Sequence, residues 1–117
     1  GQVETSSSEI KLVSVSVNSK DQYASARVTL DVHGKETTEE AEGDGMIHAA
    51  FTAVKKILKT DATLIDYRVE SITKGADATA EIVTIINDGH NLKQGRAVST
   101  DVVQGSVESF LNALNRS

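Results

Sequence analysis

The chain has 117 residues, 38% of them hydrophobic and 25% charged, which suits one globular domain rather than a disordered tail. The absence of cysteine excludes disulfides, thiol catalysis and cysteine-ligated metal. The net charge of −5, the 3% aromatic content and the lack of a membrane-length apolar run argue against nucleic acid and membranes, so we expect a cytoplasmic protein.

The first half of the chain predicts three strands and a helix behind a polar segment. Residues 1–8 (GQVETSSS) are serine-rich, which is typical of a linker or a cloning remnant. The predicted elements then span 10–17, 23–32, 35–41 and 46–59. Val13, Val15 and Val17 should share one face of the first strand, and the charges of the third strand suit a sheet edge.

The second half predicts the same order of elements. They span 64–73, 78–86, 92–98 and 102–115. Ile65, Tyr67 and Val69 should share one face of the first of these strands. The sequence Asn87-Asp88-Gly89 is a hairpin signal, and Ser99-Thr100-Asp101 provides an N-cap for the last helix.

The repeated order predicts an α+β fold of two βββα units, 9–60 and 61–117, with the helices packed on antiparallel sheets. The two halves align at an offset of about 55 residues, which indicates internal pseudo-symmetry. A three-stranded sheet with one helix cannot easily bury its own face. We therefore expect the units to pack together and the domain to form a dimer.

No group of residues predicts catalysis or a metal site. The three histidines, His33, His48 and His90, lack ligand spacing, and no serine stands in a GxSxG motif. The segment Gly43-Asp44-Gly45 leads directly into a helix, where free N–H groups can face an anion. The segment 99–101 is a second helix start of this kind. Both are open to the alternative interpretation as ordinary helix caps.

Four stretches together resemble a known family, and a fifth is similar to its last helix. They are Glu42-Gly43-Asp44-Gly45, Leu64-Ile65-Asp66-Tyr67-Arg68-Val69, Gly75-Ala76-Asp77-Ala78, Gly95 to Val103 (GRAVSTDVV) and Phe110 to Arg116 (FLNALNR). In this order they resemble the C-terminal regulatory domain of α-isopropylmalate synthase, which citramalate synthase shares. The resemblance covers the chain from about Ser14 onwards.

The resemblance implies a feedback sensor and not a catalyst. It implies a homodimeric domain that binds the end product of the pathway, leucine in isopropylmalate synthases and isoleucine in citramalate synthases. The parent enzyme would condense acetyl-CoA with a 2-oxo acid in an upstream, divalent-metal-dependent TIM barrel. The resemblance implies no cofactor in the regulatory domain itself.

Carried over by position, the resemblance implies a set of effector-binding residues at the dimer interface. They are Gly43, Asp44, Gly45, Ile47, His48, Leu64, Tyr67, Ser71, Ala76, Ala80, Thr100 and Val102. The family usually has proline after the glycine loop and aspartate two residues later, where this chain has Met46 and His48. Small residues in the set leave room for a branched side chain.

Three alternatives stay open at this point. Isoleucine differs from leucine by the shift of one methyl group, which sequence alone does not resolve. The departures at Met46 and His48 favour a purely structural dimerisation module that has lost its ligand. A small free-standing enzyme has no residue pattern in its favour.

Overall fold

The computed structural model describes residues 10–72 and 78–115. In this part of the chain the elements are β1 (Ile10–Lys20), β2 (Tyr23–Val32), β3 (Lys35–Gly43), α1 (Met46–Leu58), β4 (Thr63–Ser71), β5 (Ala80–Asn87), β6 (Leu92–Ser99) and α2 (Val102–Asn115). This order confirms the predicted α+β fold of two βββα units. The predicted linker, residues 1–8, lies outside the described residues.

The chain divides into two compact units, which we call unit 1, ending at Lys59, and unit 2, beginning at Thr60. Unit 1 contains a three-stranded antiparallel sheet in the order β1-β2-β3, and unit 2 one in the order β4-β5-β6. In each unit the helix packs mainly on the second and third strands. The first strand, β1 or β4, is therefore the one that its helix covers least.

The core of unit 1 follows from the alternation of β2. The four small or branched side chains that point towards α1 are all buried: Ala24, Ala26, Val28 and Leu30. The helix α1 packs on this strand and contributes the buried side chains of Phe51 and Val54, which are 2% and 0% exposed. Burying a side chain such as Leu30 or Val54 contributes about 1.5–3 kcal/mol. The apolar faces of β2 and α1 thus form the core of unit 1.

The predicted face of β1 needs a correction at Val13. The register of β1 against β2 shifts between Leu12 and Ser14, so Val13 is the extra residue of a β-bulge and is 47% exposed. Val15 and Val17 are half-buried on the side of the helix, as predicted. A bulge breaks the period of two, so strict alternation fails to predict the face on its N-terminal side.

Unit 2 carries the same irregularity at the equivalent place in β4. The register shifts between Leu64 and Asp66, which leaves Ile65 as the extra residue, 53% exposed. Leu64 instead pairs with the buried Ile86. The helix side of β4 therefore carries Leu64 together with Tyr67, where the alternation predicted Ile65.

The β5–β6 hairpin turns at the predicted Asn87-Asp88-Gly89 segment, and the Asp88 carboxylate stabilises the turn. Asp88 Oδ1 accepts hydrogen bonds from the backbone N–H groups of Asn91 (2.8 Å) and His90 (2.9 Å). Its Oδ2 lies 3.1 Å from Lys93 Nζ. These hydrogen bonds, with the lysine charge in support, hold the pKa of Asp88 far below its ordinary value.

The depressed pKa of Asp88 predicts an acid-sensitive contribution to stability. The contribution is fully present above the ordinary pKa of 3.8 and is lost progressively as the pH falls from there towards the lower pKa of the folded state. Asp88→Asn keeps an oxygen that can accept the N–H bonds but cannot be protonated in this range. We expect the urea midpoint of this variant to fall less than that of the wild type between about pH 5 and about pH 2.5. An equal fall of the urea midpoint in both proteins would contradict the assignment of this acid sensitivity to Asp88.

Candidate functional site

The predicted glycine loop of unit 1 forms an uncapped helix start. Gly45 is the N-cap of α1 in an extended conformation (φ −148°, ψ 169°) and makes no side-chain cap hydrogen bond. The first turn of α1 carries no acidic side chain. N–H groups at a helix start that no side chain caps can bind an anion, and the positive end of the helix dipole favours it.

Gly43 is required by the close approach of β3 to α1. A Cβ atom at this position would lie 2.6 Å from His48 Nδ1 and 2.9 Å from the amide nitrogen of Ala49. Any larger residue would therefore push the end of β3 away from the helix. Of the other predicted residues here, Ile47 is half-buried, whereas Asp44 and His48 are exposed.

The predicted residues of unit 2 meet on the helix side of β4. Because α2 packs on β5 and β6, this face is left open: Leu64 is 39% and Val69 is 44% exposed. Their cross-strand partners Ile86 and Ile82 are fully buried. We call the surface formed by Leu64, Tyr67, Val69 and Ser71 the open β4 face.

Ala80 extends the open β4 face towards the start of α2. It is half-buried and pairs with Ser71 of β4 on one side and with Ser99 of β6 on the other. This row of three small side chains leaves space at the end of the sheet that precedes α2. Thr100 and Val102, at the start of α2, are both exposed. Ala76 lies outside the described residues.

The start of α2 is capped, unlike that of α1. Asp101 Oδ1 accepts hydrogen bonds from the N–H groups of Val103 (2.9 Å) and Gln104 (3.1 Å). The carboxylate thus satisfies two of the N–H groups that a helix start leaves free, and it repels a second anion. The start of α2 therefore has an ordinary N-cap. The negative charge of Asp101 there favours a cation over an anion.

A polar layer that the sequence did not reveal lies between α2 and the sheet of unit 2. Tyr67 Oη is 2.7 Å from Ser106 Oγ, and Thr84 Oγ1 is hydrogen-bonded to Ser109 Oγ. Ser106, Ser109 and Thr84 are each 0% exposed. Buried hydroxyl groups of this kind must be paired, because an unpaired one costs about 1–3 kcal/mol.

Unit 1 has apolar residues at the matching positions. Val15 pairs with Val28 across β1 and β2 as Tyr67 pairs with Thr84 across β4 and β5. The fifth and eighth residues of α2 are Ser106 and Ser109, whereas those of α1 are alanines at 50 and 53. The signal in the sequence was a pair of serines three residues apart, between the apolar residues Val103, Val107 and Phe110 of α2.

The outer face of the unit 2 sheet has a different chemistry. A depression of about 360 Å³ there is lined by the outward-facing side chains of Arg68, Glu70, Glu81, Val83 and Arg96. Arg96 Nε lies 3.1 Å from Glu81 Oε2, and none of the predicted effector residues lines the depression.

Within the described residues, no three His, Asp or Glu side chains are grouped as metal ligands would be. Neither α1 nor α2 is long and apolar enough to cross a membrane.

Comparison with known proteins identifies relatives of the whole sequence. It matches, over residues 1–117, the model of a family described as the LeuA allosteric (dimerisation) domain. It is 42% identical over 80 residues to the 2-isopropylmalate synthase of Ruminiclostridium cellulolyticum, covering 68% of this chain and 16% of that protein. The 2-isopropylmalate synthase of Methylococcus capsulatus is 32% identical over 97% of the chain and 22% of its own length. That of Lysinibacillus sphaericus is 35% identical over 92% of the chain and 21% of its length.

Proposed function

Because the chain belongs to the family of LeuA allosteric (dimerisation) domains, we propose that it is the leucine-sensing part of a 2-isopropylmalate synthase. The chain spans 16–22% of the length of the relatives cited above, all of which carry that name. A fragment of this extent fits a regulatory segment beside a much larger catalytic part. In our proposal the chain binds the end product, and the reaction takes place elsewhere in the parent enzyme.

The observation that supports this proposal most is the open β4 face. It combines apolar side chains at Leu64 and Val69 with the small residues Ser71 and Ala80. A branched aliphatic side chain fits such a surface, and its full burial contributes about 1.5–3 kcal/mol. The open β4 face suits an amino acid better than a nucleotide or a large cofactor, since Tyr67 is the one aromatic residue among the residues that form it.

The start of α2 carries a charge that can contribute to the recognition of an amino acid. Asp101 accepts hydrogen bonds from the N–H groups at the start of α2, and its negative charge there suits an ammonium group. The start of α1, in unit 1, has no side-chain cap, so by itself it suits an anion such as a carboxylate. The predicted effector residues lack the aspartate usual in the family at the position of His48, but they still include the carboxylate of Asp44.

A thermal-shift panel with leucine, isoleucine, valine, alanine and glycine tests the proposal. Ligand that binds only the folded state raises stability by about 2.7 kcal/mol at a hundredfold excess over Kd. At roughly 4 °C for each kcal/mol, we expect leucine to raise the melting temperature by about 10 °C. Glycine and alanine should give much smaller shifts, because they lack the branched side chain.

The same panel separates the competing functions. A larger shift with isoleucine than with leucine would assign the domain to the citramalate synthase branch of the family. No shift with any of the branched amino acids at millimolar concentration would contradict the proposal and favour a purely structural dimerisation module.

We also expect the chain to form a homodimer at micromolar concentration. The open β4 face exposes Leu64 and Val69, which α2 of the same unit leaves uncovered. A second copy that covers this face would bury apolar surface at roughly 25 cal/mol for each Å². Light scattering should give twice the chain mass of 12.4 kDa. The monomer mass throughout the micromolar range would contradict this expectation.

A further inference from the structure

We propose that Ser106 is a positioning residue that holds the Tyr67 side chain in its place on the open β4 face. The inference rests on the proposed function, since Tyr67 belongs to the predicted effector residues. Ser106 itself was not among the predicted residues, and we infer no contact between it and the ligand. It acts on the site through the tyrosine alone.

The hydrogen-bond directions follow from the single proton of the serine hydroxyl. Ser106 Oγ donates to the carbonyl oxygen of Val102 at 2.6 Å, which uses that proton. Its contact with Tyr67 Oη at 2.7 Å must then be a bond in which tyrosine donates. The phenol is thus tied, through Ser106, to the backbone of the first turn of α2.

The Tyr67–Ser106 hydrogen bond connects β4 and α2, two elements that otherwise pack little on each other. The helix α2 lies on β5 and β6, while Tyr67 projects from β4 on the open face. Ser106 is 0% exposed, so its hydroxyl has one fixed environment, whereas Tyr67 is only half-buried. Loss of this bond removes one restraint on the half-buried ring, and ordering the ring on ligand binding then lowers the affinity.

Unit 1 shows that the βββα fold does not require a hydrogen bond like that between Tyr67 and Ser106. Val15 and Ala50 occupy the matching positions of β1 and α1, and neither has a hydroxyl group. The same architecture is built there with an apolar contact. A polar pair restricted to unit 2 therefore points to a role in the site of unit 2 rather than in folding.

The test measures leucine affinity by calorimetry and the environment of Tyr67 by fluorescence. The chain has two tyrosines and no tryptophan, so Tyr23→Phe leaves Tyr67 as the single fluorophore. In this background we expect Ser106→Ala to weaken leucine binding about three- to tenfold, as the loss of one hydrogen bond predicts. The ligand-free emission of Tyr67 should change as well.

Ser109→Ala is the matched control on the same helix. It removes the hydroxyl that bonds Thr84 and the backbone carbonyl oxygen of Ser106, and it leaves the Tyr67–Ser106 side-chain bond in place. We expect this variant to lose stability while its leucine affinity and tyrosine emission stay those of the parent. In the Tyr67→Phe background, Ser106→Ala should have no further effect on affinity, because the hydroxyl through which it acts is absent.

Several outcomes would overturn the inference. They are an unchanged leucine affinity in Ser106→Ala, an equal loss in Ser109→Ala, or an additional loss in the Tyr67→Phe background. Should Ser106→Ala not fold, Tyr67→Phe alone decides, since unaltered leucine affinity in that variant excludes the role. Absence of leucine binding by the parent protein is a different result: it contradicts the proposed function, and the inference falls with it.

Discussion

Replacing Gly95 by alanine is expected to lower the free energy of unfolding by about 3 kcal/mol or more. A Cβ atom at this position of β6 would overlap the carbonyl oxygen of Ser109 and the amide nitrogen of Ala113, and would lie 2.9 Å from Ala113 Cβ. Two of these are backbone atoms of α2, so no side-chain rotation relieves the clash. The helix would have to move away from the sheet and break the buried Thr84–Ser109 contact.

Urea denaturation followed by circular dichroism measures this loss. The matched control is Gly45→Ala, which adds the same methyl group where nothing lies within 4 Å. The φ of −148° at Gly45 is open to any residue, so we expect a cost below about 1 kcal/mol from the N-cap alone. Equal effects of the two substitutions would show that α2 does not pack against β6 as closely as described.

Ala80→Phe is expected to abolish the rise in melting temperature that the proposed binding of leucine predicts. Ala80 stands between Ser71 and Ser99 at the end of the sheet that precedes α2. A phenyl ring there would occupy the space that the small side chains leave for the ligand. Because Ala80 is only half-buried, the ring can be accommodated without opening the core, and the variant should remain folded.

Glu81→Phe is the control for bulk on the same strand. Its side chain lies on the other face of the sheet, where it pairs with Arg96, and an exposed ion pair of this kind contributes little to stability. This variant should keep the leucine-induced shift. A shift that survives in Ala80→Phe, measured by the same thermal scan, would exclude the end of the unit 2 sheet as the binding surface.

The elements themselves were predictable because their signals are local. The alternation of β2 places its bounds at Tyr23 and Val32, as the structure has them. The helix α2 begins at Val102, directly after the capping residue Asp101 that the sequence indicated. In both cases neighbouring residues contain the whole signal, which is a period of two in one case and a cap in the other.

The two bulges could not be predicted in the same way. Val13 and Ile65 are good strand formers, so their presence does not interrupt the β pattern. Only the pairing with the neighbouring strand reveals that each is an extra residue. One inserted residue changes which face the preceding residues occupy, and it moves Leu64 to the helix side.

The candidate site was predicted in part. The resemblance to a known family selected Leu64, Tyr67 and Ser71, and the structure brings them to one face of β4. Their role in binding stays a prediction. The bond between Tyr67 and Ser106 joins residues 39 positions apart, and serines within an apolar stripe look the same in sequence whether or not a distant hydroxyl pairs with them. Polar pairs between residues this far apart in sequence can be identified only in the three-dimensional structure.

The most direct test of leucine recognition is a titration of the isotopically labelled chain followed by amide nuclear magnetic resonance. We expect saturable shifts at Leu64, Tyr67, Ser71 and Ala80, while the outer-face residue Val83 stays unchanged. Glycine at the same concentration should leave all of these signals in place. Leucine that perturbs no amide, or that perturbs only the outer face, would contradict the assignment of this chain as a leucine sensor.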